Sequence, residues 1–172
     1  KEQRGSIGII NIDAHLDLRE SVAGAANSGT GFYQIAEDCK LQGQAFHYLA
    51  LGIQEISNTK ALFQRAETLG VSIVSAHELQ CQRQETMQKI QAFTQAVDQV
   101  YLTVDMDAFA AAYAPGVSAV AFNGIIPDAA FMEVFTFIAG LPNLIAVDFA
   151  EVNPIYDQDQ RTAKLAAFLL FN

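Results

Sequence analysis

Cysteine is scarce in this chain. Cys39 and Cys81 are the only two, and no close Cys spacing links them. That excludes a disulfide framework and a thiolate zinc knuckle, and it leaves the pair expected as buried, reduced thiols of a cytoplasmic protein. Cations are scarce too. Ten Lys and Arg stand against nineteen Asp and Glu, a net charge of −9 at pH 7. A surface of that sign repels phosphate backbones and anionic lipid, so neither a nucleic-acid nor a membrane partner is expected. No apolar stretch reaches the roughly 18 residues of a membrane span, and no signal peptide is visible. The sequence lacks a Gly-rich phosphate loop and a Gly-x-Ser-x-Gly elbow, so serine hydrolase chemistry has no support. Repeats, linkers and low-complexity segments are missing as well. With 51% hydrophobic and 17% charged residues over 172 positions, the composition is that of one globular domain with a sizeable core.

Apolar runs and helical periodicity alternate along the chain. Strands are expected at 6–12, 46–53, 71–75, 100–104 and 144–149. Helices are expected at 32–40, 59–69, 85–97, 129–138 and 162–171. Gly70 fits the end of the second helix and Asp128 the start of the fourth, which Gly140 and Pro142 close. Residues 24–31 and 114–118 read as loops. This alternation predicts βαβ units: a mainly parallel sheet covered by helices on both faces, a three-layer α/β/α fold.

The chemistry lies where strands end. Asp13-Ala14-His15-Leu16-Asp17 follows the first strand, and Asp105-Met106-Asp107 follows the fourth. In an open parallel sheet, the carboxyl ends of the strands are where sites are built. Residues two apart on an extended segment point the same way, so Asp13, His15 and Asp17 are expected to face one site, as are Asp105 and Asp107. Four carboxylates and one imidazole suit Mn²⁺, Mg²⁺ or Fe²⁺ better than a structural zinc. Five ligands exceed what one metal with an open position needs and fit a two-metal centre that activates water. A third polar cluster follows the last strand, and all three are expected to meet along one edge of the sheet. His47 reads as a strand residue and His77 as part of a helix start.

These blocks resemble the ureohydrolase family, which includes arginases, agmatinases and formimidoylglutamases. Asn11 to Asp17 is similar to the first signature of that family. The run Leu102 to Asp107, continued by Ala114-Pro115-Gly116-Val117-Ser118-Ala119, is similar to the second. Asp148-Phe149-Ala150-Glu151-Val152-Asn153-Pro154, with Asp157 and Thr162-Ala163 beyond it, is similar to the third. Asp13-x-His15-x-Asp17-Leu18-Arg19 and Asn27-Ser28-Gly29-Thr30-Gly31-Phe32 look most like the formimidoylglutamase branch. Residues 18–34 hold no His, whereas arginases carry one in that loop. The resemblance implies a small-molecule amidine substrate, N-formimidoyl-L-glutamate, cleaved to L-glutamate and formamide in histidine breakdown. It implies two Mn²⁺ ions held by Asp13, His15, Asp17, Asp105 and Asp107, with Asp13 and Asp105 bridging. It implies that Asp17 and Glu151 serve catalysis, Glu151 by pairing with the cationic amidine. Arg19 would take a substrate carboxylate, Asn27, Ser28 and Thr30 would line the substrate loop, and the protein would be a homo-oligomer.

The sequence departs from the family in places. The family's upstream Gly-Gly-x-His block is not in the chain, which opens Lys1-Glu2-Gln3-Arg4 without Met. The expectation is therefore a chain incomplete at its N-terminus. Ala110, Val120 and Phe122-Asn123-Gly124 stand where the family often has an acidic residue, Pro and a small-residue stretch. The rival readings are an agmatinase- or guanidinobutyrase-like enzyme and a non-catalytic protein of the same fold.

Overall fold

A computed structural model describes residues 5–21 and 24–172. In chain order the elements are β1 (Ile7–Ile12), α1 (Gly31–Leu41), β2 (His47–Ile53), α2 (Lys60–Thr68), β3 (Ser72–Ser75), α3 (Ala76–Cys81), α4 (Arg83–Gln95), β4 (Gln99–Asp105), α5 (Ala129–Ala139), β5 (Leu144–Ala150) and α6 (Arg161–Phe171). The five strands form one sheet in the order β3-β2-β1-β4-β5, and each neighbouring pair is parallel. β1 lies at its centre. Its residues are therefore apolar with little regard to alternation, because a central parallel strand is covered on both faces.

The two faces have separate cores. Ile10 and Ile12 of β1 pack with Leu102 and Val104 of β4, beneath Leu79 of α3, Ile90 of α4, four α5 residues that include Phe131 and Phe135, and Leu169 of α6. Ile9, Tyr48 and Ala50 line the opposite face with Leu62 and Ala66 of α2, and Phe32 and Tyr33 of α1 pack against them. The three-layer arrangement expected from the sequence is what the chain adopts.

One expectation needs completing and another correcting. The reading of His77 as part of a helix start holds, since it lies in the first turn of α3, but the helix itself was given no bounds, because six residues are too few to show helical periodicity. Its start is marked instead by a capping box, in which the Ser75 hydroxyl accepts from Glu78 N and the Glu78 carboxylate accepts from Ser75 N. Cys39 is half-buried and Cys81 exposed, so the thiols are not core residues. Cys81 closes the last turn of α3 and points away from the apolar face that Ala76 and Leu79 provide.

Sheet order positions the site. From β1 the chain moves one way to β2 and β3, then crosses back to β4 and β5 on the other side. The carboxyl ends of β1 and β4 thus flank the point where the winding reverses, which leaves a crevice between diverging connections. Gly52 sustains this edge. At φ +92° it sits at the β2 bulge, and a Cβ there would fall 2.6 Å from Ile125 Cδ1 and 3.3 Å from the Asp13 carbonyl. A glycine accepts both the left-handed backbone and the close approach. Among the described residues no helix is long and apolar enough to cross a membrane.

Candidate metal centre

β1 pairs in register with β4 up to Ile12 opposite Val104. The next residues, Asp13 and Asp105, therefore leave adjacent strands side by side. Both then turn in the same way. Asp13 Oδ1 accepts from His15 N at 2.7 Å, and Asp105 Oδ1 accepts from Asp107 N at 2.9 Å. These turns, rather than the extended segments assumed from sequence, bring each residue i and i+2 together. A carboxylate that accepts from the backbone two residues on is the common chemistry of an Asp turn.

The result is a crowded polar cluster. Donor atoms of Asp13, His15 and Asp107 all lie within 4.8 Å of one another. His15 Nδ1 is 3.1 Å from Asp107 Oδ2 and 3.4 Å from Asp13 Oδ1. Asp13 and Asp107 are buried, at 1% and 4% exposure. A cavity of about 120 Å³ opens beside them, lined by His15, Asp17, Arg19, Ser28, Gly29, Asp105, Asp107, Ser118, Ala119 and Glu151. The clusters after β1, β4 and β5 meet there along one edge of the sheet.

Electrostatics follow from crowding. Burial, with Asp13 and Asp107 nearby, pushes the Asp105 carboxyl up to about 9. Burial and Asp13 push Asp17 up to about 7, with His15 opposing them. The Asp13 carboxyl is also raised, mainly by burial. The His15 imidazole is raised to about 10, because its hydrogen bonds to Asp107 and Asp13 favour the protonated ring. Carboxylates assembled at this density want positive charge.

The residues fit a hard divalent cation. Asp107 Oδ1 is fully buried and has no hydrogen-bond partner among the described residues, an arrangement that costs free energy unless something positive meets that oxygen. Oxygen donors with one imidazole nitrogen suit Mn²⁺ or Mg²⁺. Asp13, His15 and Asp107 form the compact group, and Asp17 and Asp105 stand on the cavity wall.

The remaining candidates fall in different places. Arg19 is exposed and lines the cavity, with its stem against Gly29, where a Cβ would meet Arg19 Cδ at 3.1 Å. Ser28 lines the cavity as well. Asn27 and Thr30 bond each other: the Asn27 carbonyl accepts from the Thr30 hydroxyl at 2.8 Å, and Thr30 Oγ1 accepts from Asn27 N at 3.0 Å. Together they close a short turn, Ser28–Thr30, at the start of α1. Glu151 reaches the cavity from the end of β5, and its carboxylate accepts from the Ser118 hydroxyl at 2.6 Å. Asp17 and Glu151 have φ values of 49° and 64°. Left-handed backbone at a non-glycine residue costs roughly 1–2 kcal/mol and persists where surrounding structure enforces it, often at a working site. Sequence reasoning had no role for Ser118, although it sits within the block 114–119. Its signal was position alone, since a loop serine carries no mark of its partner.

Comparison with known proteins agrees with the geometry. The profile of the arginase family matches residues 1–172. The formimidoylglutamase of Vibrio vulnificus strain YJ016 is 43% identical over 176 residues, an alignment that takes in 99% of this chain and 52% of the relative. The crystal structure of formimidoylglutamase from Bacillus subtilis superposes with a TM-score of 0.85 at 28% identity, over 98% of this chain and 52% of that one. A variant of Trypanosoma cruzi formiminoglutamase, solved with Mn²⁺, superposes with a TM-score of 0.80 at 25% identity, over 96% of this chain and 54% of that one. This chain spans about half the length of the curated relatives it matches. With its sheet order, its strand-end carboxylates and a family match along its whole length, the chain belongs to the arginase family.

Proposed function

We propose that this chain carries the metal centre and substrate pocket of a manganese-dependent formimidoylglutamase, which hydrolyses N-formimidoyl-L-glutamate to L-glutamate and formamide in histidine breakdown. The reading extends to a cytoplasmic homo-oligomer. The observation that carries it is the charge layout of one cavity. Buried carboxylates with an unpartnered oxygen stand on one wall, and the same space offers a cation, Arg19, and an anion, Glu151. The substrate has matching parts: carboxylates for a guanidinium and a cationic amidine for a carboxylate.

Asp13, His15, Asp17, Asp105 and Asp107 would hold two Mn²⁺ ions, with Asp13 and Asp105 serving both. Bound there, the ions supply Lewis acidity and lower the pKa of water. Glu151, held by the Ser118 hydroxyl, pairs with the amidine and fixes the orientation of its carbon. Arg19 takes a glutamate carboxylate, and the loop of Asn27, Ser28 and Thr30 closes that side. Water oxygen bonds to the formimidoyl carbon, and the bond from that carbon to the glutamate nitrogen breaks. The Asp17 carboxylate receives one proton given up by water and passes it to the leaving nitrogen, and the second water proton departs to solvent as the carbonyl forms, so formamide and a free amine result.

The test is Mn²⁺-dependent formamide release by the full-length natural protein, with agmatine and L-arginine assayed in parallel. Selective turnover of N-formimidoyl-L-glutamate is expected, and Asp105→Ala is expected to lose both metal and turnover. Preference for agmatine would leave the metal centre and discard the Arg19 role. No turnover of any substrate by the Mn²⁺-loaded protein would overturn the proposal.

A further inference from the structure

Resting on that reading of the metal centre, we infer that Asn11, Tyr48 and Asn58 are positioning residues that hold the ligand-bearing loop 13–17 in shape from outside the ligand set. Asn11 is a polar side chain one residue from the carboxyl end of β1, with 1% exposure. A buried amide in a core strand is costly unless its donors are used. Both are: Asn11 Nδ2 donates to Asp13 Oδ2 at 3.0 Å and to the Tyr48 hydroxyl at 2.9 Å. The Tyr48 hydroxyl in turn donates to the Leu16 carbonyl at 3.1 Å. A buried chain of donors thus runs from a ligand carboxylate to the backbone next to Asp17. The Tyr48 ring packs at 4.7 Å from Phe32 and 5.6 Å from Phe46, between centroids, so it has little room to turn. Its burial keeps the phenol protonated, a permanent donor.

Asn58 grips the same loop from the segment after β2. Its Nδ2 donates to the Ala14 carbonyl at 2.9 Å and the Gln54 carbonyl at 2.8 Å, and its Oδ1 accepts from Leu16 N at 2.9 Å. The backbone on both sides of His15 is therefore tied to one amide side chain. These three residues share a property that suits the task. All are neutral, so they orient a carboxylate and its loop without adding a charge that would compete with a cation. Partners of this kind around metal ligands typically contribute ten- to hundred-fold in metal affinity.

The experiment measures Mn²⁺ binding directly, from the loss of the free-Mn²⁺ electron paramagnetic resonance signal as metal-stripped, full-length protein is titrated. Tyr48→Phe keeps the ring and removes the hydroxyl, and Asn58→Ala removes the second clamp. Each is expected to weaken Mn²⁺ binding by about ten- to hundred-fold, and excess Mn²⁺ is expected to restore kcat to Tyr48→Phe. Thr86→Val is the control for destabilisation alone, since its hydroxyl donates to the Glu78 carbonyl in the core of the other sheet face. It is expected to lower thermal stability and leave Mn²⁺ affinity unchanged. Wild-type affinity in both Tyr48→Phe and Asn58→Ala would overturn the inference alone. A loss of the same size in Thr86→Val would overturn it too. Failure of the unaltered protein to bind Mn²⁺ would overturn the metal-centre reading, and this inference with it.

Discussion

Replacing Asp105 with Asn should make the metal-free protein more stable while ending its metal binding. Asp105 is raised to about 9 by burial and by Asp13 and Asp107, whereas an Asp in an unfolded chain titrates near 3.9. The folded state therefore binds more protons between those values, and stability falls as pH rises from about 4 to about 9. At pH 7 the group is roughly three pH units above its unfolded pKa, so the cost reaches at most about 4 kcal/mol. Asp13 is raised beside it, and sharing of protons between the two carboxyls brings the part of Asp105 to about 1–3 kcal/mol. Asn removes the charge and keeps the shape, and its carbonyl oxygen can still accept from Asp107 N, the 2.9 Å bond that makes the turn. For a domain of this size each kcal/mol moves Tm by about 2–4 °C, so a rise of several degrees is expected. The assay is urea and thermal unfolding followed by circular dichroism, with excess chelator, at pH 7 and at pH 4. The gain should be present at pH 7 and gone at pH 4, and saturating Mn²⁺ should reverse the order of the two proteins. A metal-free variant no more stable than the parent at pH 7, or a gain that survives at pH 4, would refute the reasoning.

Glu151→Gln should retain bound Mn²⁺ and lose at least about a hundred-fold in kcat/KM, because the carboxylate that Ser118 holds is the proposed partner of the amidine; metal analysis beside steady-state kinetics checks this. Arg19→Ala should raise KM for N-formimidoyl-L-glutamate by about ten-fold or more while leaving any turnover of agmatine unchanged, since only the acidic substrate offers it a carboxylate. Gly116→Ala should destabilise by about 1–3 kcal/mol, as its Cβ would fall 2.3 Å from Asp157 Cβ; denaturant unfolding measures it. Mn²⁺ at a hundred times its Kd should raise unfolding free energy by about 2.7 kcal/mol per independent site, and chelator should remove the gain.

Most of the fold could be read from the sequence because its strands are buried on both faces and its helices are long enough to show a period. β1, with Ile9, Ile10 and Ile12 all buried, is the clearest case. Of α3 only a start near His77 could be read, the helix being shorter than two turns. The candidate site was legible in its position, because Asp13, His15, Asp17, Asp105 and Asp107 directly follow β1 and end or follow β4. The mechanism of their convergence was not, since spacing cannot tell an extended segment from the paired Asp turns that form. The neutral supports were the least visible. Asn11, Tyr48 and Asn58 lie 47 positions apart at the extremes, and each is an ordinary residue until the fold brings it against loop 13–17. The left-handed backbone of Asp17 and Glu151 was equally hidden, as neither position carries the glycine that would have marked it.

The sheet order has a consequence for how the centre comes into being. Of these five strands β1 is made before the others and ends at the middle, but its neighbour β4 lies some ninety residues later in the chain. Until β4 has been made and has docked, Asp13 and His15 face no Asp107. At about 5–20 residues per second of synthesis, that wait lasts several seconds or more. During it the growing chain holds only Asp13, His15 and Asp17 of the cluster. Pairings this distant in sequence also form slowly, because loop closure must precede any gain from contact. A cation bound by these residues would therefore arrive only after β1 and β4 have paired, acting as a lock on that pairing rather than a seed for it.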